Sequence, residues 1–176
     1  MRKGYAASFK VGKTKVLTAL LKGWSNLSKL LYSGKEFSMQ TSAVILASRE
    51  EAFNRGNDAI NVEHLLLALL LKSEKGKAIE ILNKLNCNVK ALQRQIEEEL
   101  DKFPQKEKTS NIPFTTDATA ALKSASSIAD EFQSKEIENE HLLLAILKSE
   151  TSLLVPIFRR FNLTYHNCYN QLKSSV

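Results

Sequence analysis

The chain has 176 residues, of which 43% are hydrophobic and 25% are charged, as in an ordinary globular protein. No apolar run approaches the roughly 18 to 20 residues of a transmembrane helix, so we expect no membrane-spanning segment. The net charge of +6 is uneven, because residues 1–36 hold eight Lys or Arg and one acid, leaving 17 basic and 18 acidic residues for 37–176. A basic stripe is therefore not expected on the folded part, and we predict no nucleic-acid partner.

Residues 1–36 form a basic extension with a predicted amphipathic helix. Apolar residues recur there at steps of three and four, as in one face of a helix: Val16, Leu17, Leu20, Leu21, Trp24, Leu27 and Leu31. Four interpretations stay open. The helix packs on the domain or on a partner, contacts a membrane surface through residues 13–32, serves as a targeting presequence, or results from a start codon placed too far upstream.

The triplet Gly12-Lys13-Thr14 resembles the end of a phosphate-binding loop. That loop needs a strand before it, a helix after it and an acidic residue that holds magnesium at the end of another strand. The sequence offers none of these. We therefore predict no nucleotide and no other cofactor.

Four helices are predicted between residues 37 and 101. Ser38 is placed to cap the first, which ends at 55–57, and Asn61 is placed to cap the second. The second helix carries six leucines around its circumference and should be central. The third and fourth are predicted at about 77–86 and 89–100.

Residues 102–113 are polar and carry Pro104 and Pro113, which is typical of a linker. Helices are then predicted at 115–133, 138–148, 153–161 and 165–172. Pro156 should make the third of these begin late or kink, because proline cannot donate a helical hydrogen bond. No segment shows the alternation of a strand.

The two sets of helices are an internal duplication. Residues 63–68 and 140–145 both read EHLLLA, 77 positions apart, and a spacing of 76 applies from residue 72 onward. Repeats of this kind bury a common core with their neighbours. We predict an all-α fold of two pseudo-symmetric four-helix repeats, 37–101 and 114–176, preceded by the N-terminal helix.

The titratable residues do not form a catalytic or metal-binding pattern. His64 and His141 adjoin leucine runs and are predicted to be core residues without a catalytic partner. Cys87 and Cys168 occupy different repeat positions, and there is no secretory signal, which predicts reduced thiols in a cytoplasmic protein. We predict no metal site and no enzyme.

The doubled EHLLLA motif, the Phe-Ser/Thr before each first helix and the Ile-Leu helix after each motif resemble the N-terminal repeat domain of the Clp ATPases, above all the ClpC type. The resemblance covers residues 37–174. The chain stops before the nucleotide-binding modules that follow this domain in a Clp ATPase, and so we expect a stand-alone domain.

The resemblance implies a docking surface for adaptors and substrates, with one site for phosphorylated arginine in each repeat. Glu63 and Glu140 would face the guanidinium, and the helix starts at Ser38 and Thr115 would help to hold the phosphate. Glu138 adds a negative charge beside the second site, which favours the first.

The function predicted is therefore non-catalytic binding of protein partners in the Clp chaperone–protease system: Clp components, adaptors or substrates. An alternative prediction is a structural subunit that braces a complex or a membrane surface through its N-terminal helix.

Overall fold

The computed structural model describes residues 35–73, 75–106, 112–149 and 153–175, and these residues form eight α-helices. The helices are α1 (Met39–Asn54), α2 (Val62–Lys72), α3 (Lys77–Lys84), α4 (Val89–Leu100), α5 (Thr116–Glu131), α6 (Asn139–Leu147), α7 (Val155–Arg160) and α8 (Tyr165–Lys173). The predicted all-α, duplicated fold is confirmed. The helix predicted within residues 1–36 lies outside the described residues, and the repeat boundaries stay a prediction.

Helices α2 and α6, which carry the two copies of the repeated motif, form the centre of the fold. They pack against each other. Helix α2 also packs on α1, α4 and α5, and helix α6 also packs on α1, α3, α5 and α8. Nine of the eleven residues of α2 are buried, which agrees with the prediction of a central helix. Neither α2, α6 nor any other described helix is long and apolar enough to cross a bilayer.

Pseudo-equivalent left-handed residues end the first helix of each repeat. Gly56 has a φ of 69° and Gln133 a φ of 53°, and in both cases the next residue donates its N–H to a helical carbonyl, Asn57 to Ala52 and Ser134 to Ala129, at 2.9 Å. These bonds satisfy carbonyls that the helix leaves without partners. Both turns therefore redirect the chain in the same way.

Helix α7 begins late, as Pro156 predicted. It starts at Val155 with the proline in its first turn and has only six residues. The missing N–H of proline costs nothing at that position, because the first N–H groups of a helix have no partner within it.

The two repeats exchange short backbone pairings in a reciprocal manner. Ser38 N donates to Ile137 O at 3.1 Å and Ile137 N to Glu36 O at 2.8 Å, while Thr115 N donates to Ile60 O at 3.0 Å and Ile60 N to Pro113 O at 2.8 Å. Each is an isolated parallel bridge, Phe37 with Ile137 and Ile60 with Phe114. The residues that lead into the first helix of one repeat are thus fixed against the entry to the second helix of the other.

The pseudo-equivalent turns give a matched test of backbone strain. Gly56→Ala should lower the free energy of unfolding by more than about 1 kcal/mol, because an L side chain resists the positive φ and its Cβ would lie 3.2 Å from the Lys106 carbonyl oxygen. Gln133→Gly removes such strain and should raise the same free energy by up to about 1 kcal/mol. Urea unfolding of both variants measures the signs. A stabilising Gly56→Ala would contradict this account of the turn.

Candidate functional site

Ser38 and Thr115 cap α1 and α5 with their hydroxyl groups. Ser38 Oγ accepts from Thr41 N at 3.2 Å, and Thr115 Oγ1 accepts from Ala118 N at 3.2 Å. Ser38 is only 4% exposed, whereas Thr115 is half-buried. Each hydroxyl is therefore engaged within its own helix. What these helix starts can offer to an anion is the N–H groups of their first two residues, which have no partner within the helix.

A cleft of about 160 Å³ joins Glu63 to the start of α5. We call it the first site, and its lining consists of Asn61, Val62, Glu63, Phe103, Thr115, Asp117 and Leu153. Thr115, Asp117 and Leu153 come from the second half of the chain, whereas the resemblance suggested one site within each repeat. The difference follows from the reciprocal pairing, since Thr115 N is bonded to Ile60 O immediately before α2.

The pseudo-equivalent positions define what we call the second site: Ser38, Gln40, Lys77, Glu138, Asn139 and Glu140. Ser38 adjoins the entry to α6 through its bond to Ile137 O. Burial raises the pKa of Glu140, the neighbouring Glu138 raises it further, and the Lys77 ammonium opposes the shift. Ser38 therefore lies at the entry to α6, and Lys77 of the first repeat lies near Glu140 of the second.

The two candidate glutamates differ in accessibility. Glu63 is 4% exposed, and Glu140 is half-buried. Both lie in the first turn of their helix, where a carboxylate is stabilised by the positive end of the helix dipole. Glu63 therefore forms part of the cleft floor, while Glu140 is more open to solvent.

His64 fixes the start of α2 as a buried, neutral ring. Its Nδ1 accepts from Asn61 N at 3.1 Å, so that Nε2 carries the proton and donates to Asn57 Oδ1 at 3.0 Å. The Phe103 ring packs near it with centroids 6.4 Å apart. The predicted core position is confirmed. The His64 ring packs near Phe103, which lines the first site.

His141 repeats this arrangement at the start of α6. Its Nδ1 accepts from Glu138 N at 2.9 Å, it is 3% exposed, and the Phe132 ring lies 6.1 Å away. Burial is the main cause that lowers the pKa of both histidines from 6.5 to about 4. Nearby cations contribute to the lowering, Arg55 for His64, and Lys35 and Lys77 for His141. Both histidines therefore act as caps that require the neutral form.

The sequence reasoning did not single out several side chains of the two sites, among them Asp117, Leu153 and Lys77. Spacing shows that Asp117 is equivalent to Gln40, at 77 positions, and Leu153 to Lys77, at 76, but it does not place either pair at a site. The sequence did not show that the start of each first helix pairs with the opposite repeat. The two sites differ in charge at three pairs of equivalent positions: Asp117 and Gln40, Leu153 and Lys77, and Asn61 and Glu138.

The other titratable groups do not form an activated centre in the part of the chain that the structure describes. Burial raises the pKa of the Cys87 thiol to about 11 and, with Cys87 nearby, that of Cys168 to about 12. Such thiols are poor nucleophiles at neutral pH. Across residues 35–73, 75–106, 112–149 and 153–175, no three His, Cys, Asp or Glu side chains are grouped as metal ligands.

The helical order, the buried motif in both repeats and the cross-repeat cleft define a class of protein, the N-terminal repeat domains of Clp-type ATPases. The sequence profile of the Clp repeat (R) N-terminal domain family matches residues 36–161 and 113–176. The chain belongs to this family, as its resemblance predicted.

Known relatives of this chain include the chaperone protein ClpB of Clostridium tetani. The two are 25% identical over 143 residues, which cover 79% of this chain and 16% of that protein. The chain thus spans about one sixth of the length of this relative.

Two solved structures show the same fold at lower identity. The N-terminal domain of Hsp104 from Candida albicans has a TM-score of 0.68 and 18% identity, with 78% of this chain and 89% of that chain covered. A ClpV N-domain in complex with a VipB peptide has a TM-score of 0.59 and 14% identity, with 93% and 91% covered.

Acidification should destabilise the protein through His64 and His141. Their pKa falls from 6.5 to about 4 on folding. As the pH is lowered, the two histidines are therefore protonated in the unfolded state at a higher pH than in the folded state. Stability is therefore full above pH 6.5 and is lost as the pH falls to about 4. Each shift corresponds to on the order of 3 kcal/mol. Urea unfolding at several pH values measures the loss.

The control is the double variant His64→Gln with His141→Gln. Glutamine at the third helical position can still accept from the N-cap N–H, as in a capping box, but does not titrate. Its unfolding free energy should vary less with pH between 6.5 and 4 than that of the natural chain. An unchanged slope would show that other groups cause the acid sensitivity.

Proposed function

We propose that this chain is a non-catalytic protein- and peptide-binding module of the Clp chaperone–protease system that docks an adaptor or a substrate. Its partners would be Clp ATPase or protease components, adaptors or substrate proteins. Membership of the family and the ClpV N-domain complex with a VipB peptide support this proposal. The observation that carries it is the first site, where a buried carboxylate, a helix start and apolar side chains converge.

The chemistry of the first site suits a peptide side chain that carries a donor group. Glu63 supplies a carboxylate at the floor, the start of α5 supplies backbone N–H groups, and Phe103 and Leu153 supply apolar walls. Charge-assisted hydrogen bonds to such a carboxylate are among the stronger contacts in recognition. By the family resemblance, the guanidinium of an arginine or phosphoarginine is the group that Glu63 and Glu140 would face.

Neither histidine is placed to act as a catalytic base. Both rings use Nδ1 to hold the N-cap N–H, and His64 Nε2 is bonded to Asn57 as well. A general base needs an accessible lone pair near its substrate. The buried rings lack this, which supports a binding role over an enzymatic one.

The binding proposal predicts a charge-specific loss of partners. The immobilised full chain should retain a Clp ATPase, a Clp protease subunit or an adaptor from native lysate, identified by mass spectrometry. Glu63→Lys and Glu140→Lys should each weaken retention by tenfold or more, because a charged hydrogen-bond partner is worth about 1.5–3 kcal/mol. Glu63→Gln should give a smaller loss.

The matched control is Glu98→Lys, which makes the same charge change at an exposed position of α4. It should retain the partners as the natural chain does. Circular dichroism of each variant shows whether the helices are intact. Retention that is equal for the natural chain and a folded Glu63→Lys/Glu140→Lys double variant would contradict the proposal.

A further inference from the structure

The duplication places a lysine beside the second site where the first site has a leucine. Lys77 is the first residue of α3, and Leu153 is equivalent to it at a spacing of 76. Leu153 lines the first site and is 56% exposed, whereas Lys77 is half-buried. The same position therefore offers an apolar side chain to one site and a cation to the other.

A buried polar contact holds the turn before Lys77 at the start of α6. Asn139 Nδ2 donates to Ser73 Oγ at 2.7 Å, and Ser73 O accepts from Gly76 N at 2.7 Å, immediately before Lys77. Asn139 is 3% exposed and Ser73 is 5% exposed. Helix α3 then packs on α6. The backbone that carries Lys77 is thus fixed beside the helix that carries Glu140.

This contact has no counterpart at the first site. The residue equivalent to Asn139 is Val62, which is buried and has no donor in its side chain. Asn139 Oδ1 is buried without a hydrogen-bond partner among the described residues, and such an acceptor costs stability. The contact between Asn139 and Ser73 is therefore better explained by positioning of the turn than by a gain in stability.

Lys77 acts on the charge of the second site. Burial raises the pKa of Glu140, and Lys77 opposes this rise more strongly than Glu138 adds to it. Burial lowers the pKa of His141, the next residue, and Lys77 contributes to that lowering. The ammonium group is therefore close enough to the Glu140 carboxylate to offset part of its charge.

We propose that Lys77 is an internal counter-ion of Glu140 that weakens the binding of cationic partner side chains at the second site, so that the first site takes them preferentially. The inference rests on the proposed binding function and concerns the relative affinity of its two sites. A partner cation that approaches Glu140 must share the carboxylate with Lys77, and the two like charges repel each other. Leu153 adds no charge beside the first site and can cover the apolar stem of the incoming side chain.

The first test needs no ligand. NMR titration of the full chain, observed at the side-chain carboxyl carbons of glutamate, follows the ionisation of Glu140. In Lys77→Leu the pKa of Glu140 should rise above its value in the natural chain, because a neighbouring positive charge favours the ionised form. Lys75→Leu is the control, since Lys75 is exposed and lies outside the groups that shift the pKa of Glu140. An unchanged pKa of Glu140 in Lys77→Leu would overturn the proposal.

The second test measures each site separately with a blocked peptide that carries one arginine between two leucines. In two-dimensional amide NMR spectra of the full chain, Val62 and Glu63 report on the first site, and Asn139 and Glu140 report on the second. The first site should bind the peptide about threefold or more tightly than the second, as expected for one partly screened charge interaction. Lys77→Leu should strengthen binding at the second site by about threefold.

The reciprocal variant Leu153→Lys moves the charge to the first site. Because Leu153 is exposed, the fold should tolerate the change. Binding at the first site should weaken by about threefold, while binding at the second site stays as it is. The double exchange of Lys77→Leu with Leu153→Lys should therefore reverse the preference between the sites.

Three outcomes would overturn the inference without affecting the proposed function. They are a second site that binds the peptide at least as tightly as the first in the natural chain, a second-site affinity that Lys77→Leu leaves unchanged or lowers, and no peptide binding by a chain that still retains Clp components. The proposed function fails separately, when the natural chain retains neither the peptide nor any Clp component.

Discussion

The reciprocal backbone pairing between the repeats is the constraint on which the rest of the structure depends. Ser38 N bonds to Ile137 O, and Thr115 N bonds to Ile60 O, so that each first helix is anchored at the entry to the second helix of the other repeat. Buried amide and carbonyl groups require such partners. A single repeat would leave these groups to bond with water. The duplication buries them in shared pairings, and each site is divided between the two copies.

Duplication followed by divergence explains why the two sites share a framework but not a charge. Residues 63–68 of α2 and 140–145 of α6 are identical, and most of them are buried where the two helices pack against each other at the centre. The positions at the edge of the clefts face solvent and were free to change. Asp117 with Gln40 and Leu153 with Lys77 are such edge pairs. Packing kept the framework, while substitutions at the edge could alter ligand preference at little cost in stability.

Much of this fold could be predicted from the sequence, because its signals are local. Helical periodicity, the N-cap residues and Pro156 each act within a few residues, and α4 was predicted with its observed bounds. Sequence repetition also showed which positions are alike. It could not show that each helix start contacts the other repeat, since that depends on backbone hydrogen bonds between residues 53 to 101 positions apart. The composition of the first site, including Asp117, therefore required the structure.

The buried histidines connect the stability of the fold to the geometry of the clefts. His64 holds the N–H of Asn61, which lines the first site beside Glu63, and is itself held by Asn57. The start of α2 is thus fixed before any ligand arrives, and such pre-organisation lowers the entropic cost of binding. Because the ring must remain neutral, this rigidity is greatest at neutral pH. The packed histidines fix the shape of the site, while residues at its edge contact the ligand. Substitutions at the edge can therefore change which ligand is bound without disturbing the core.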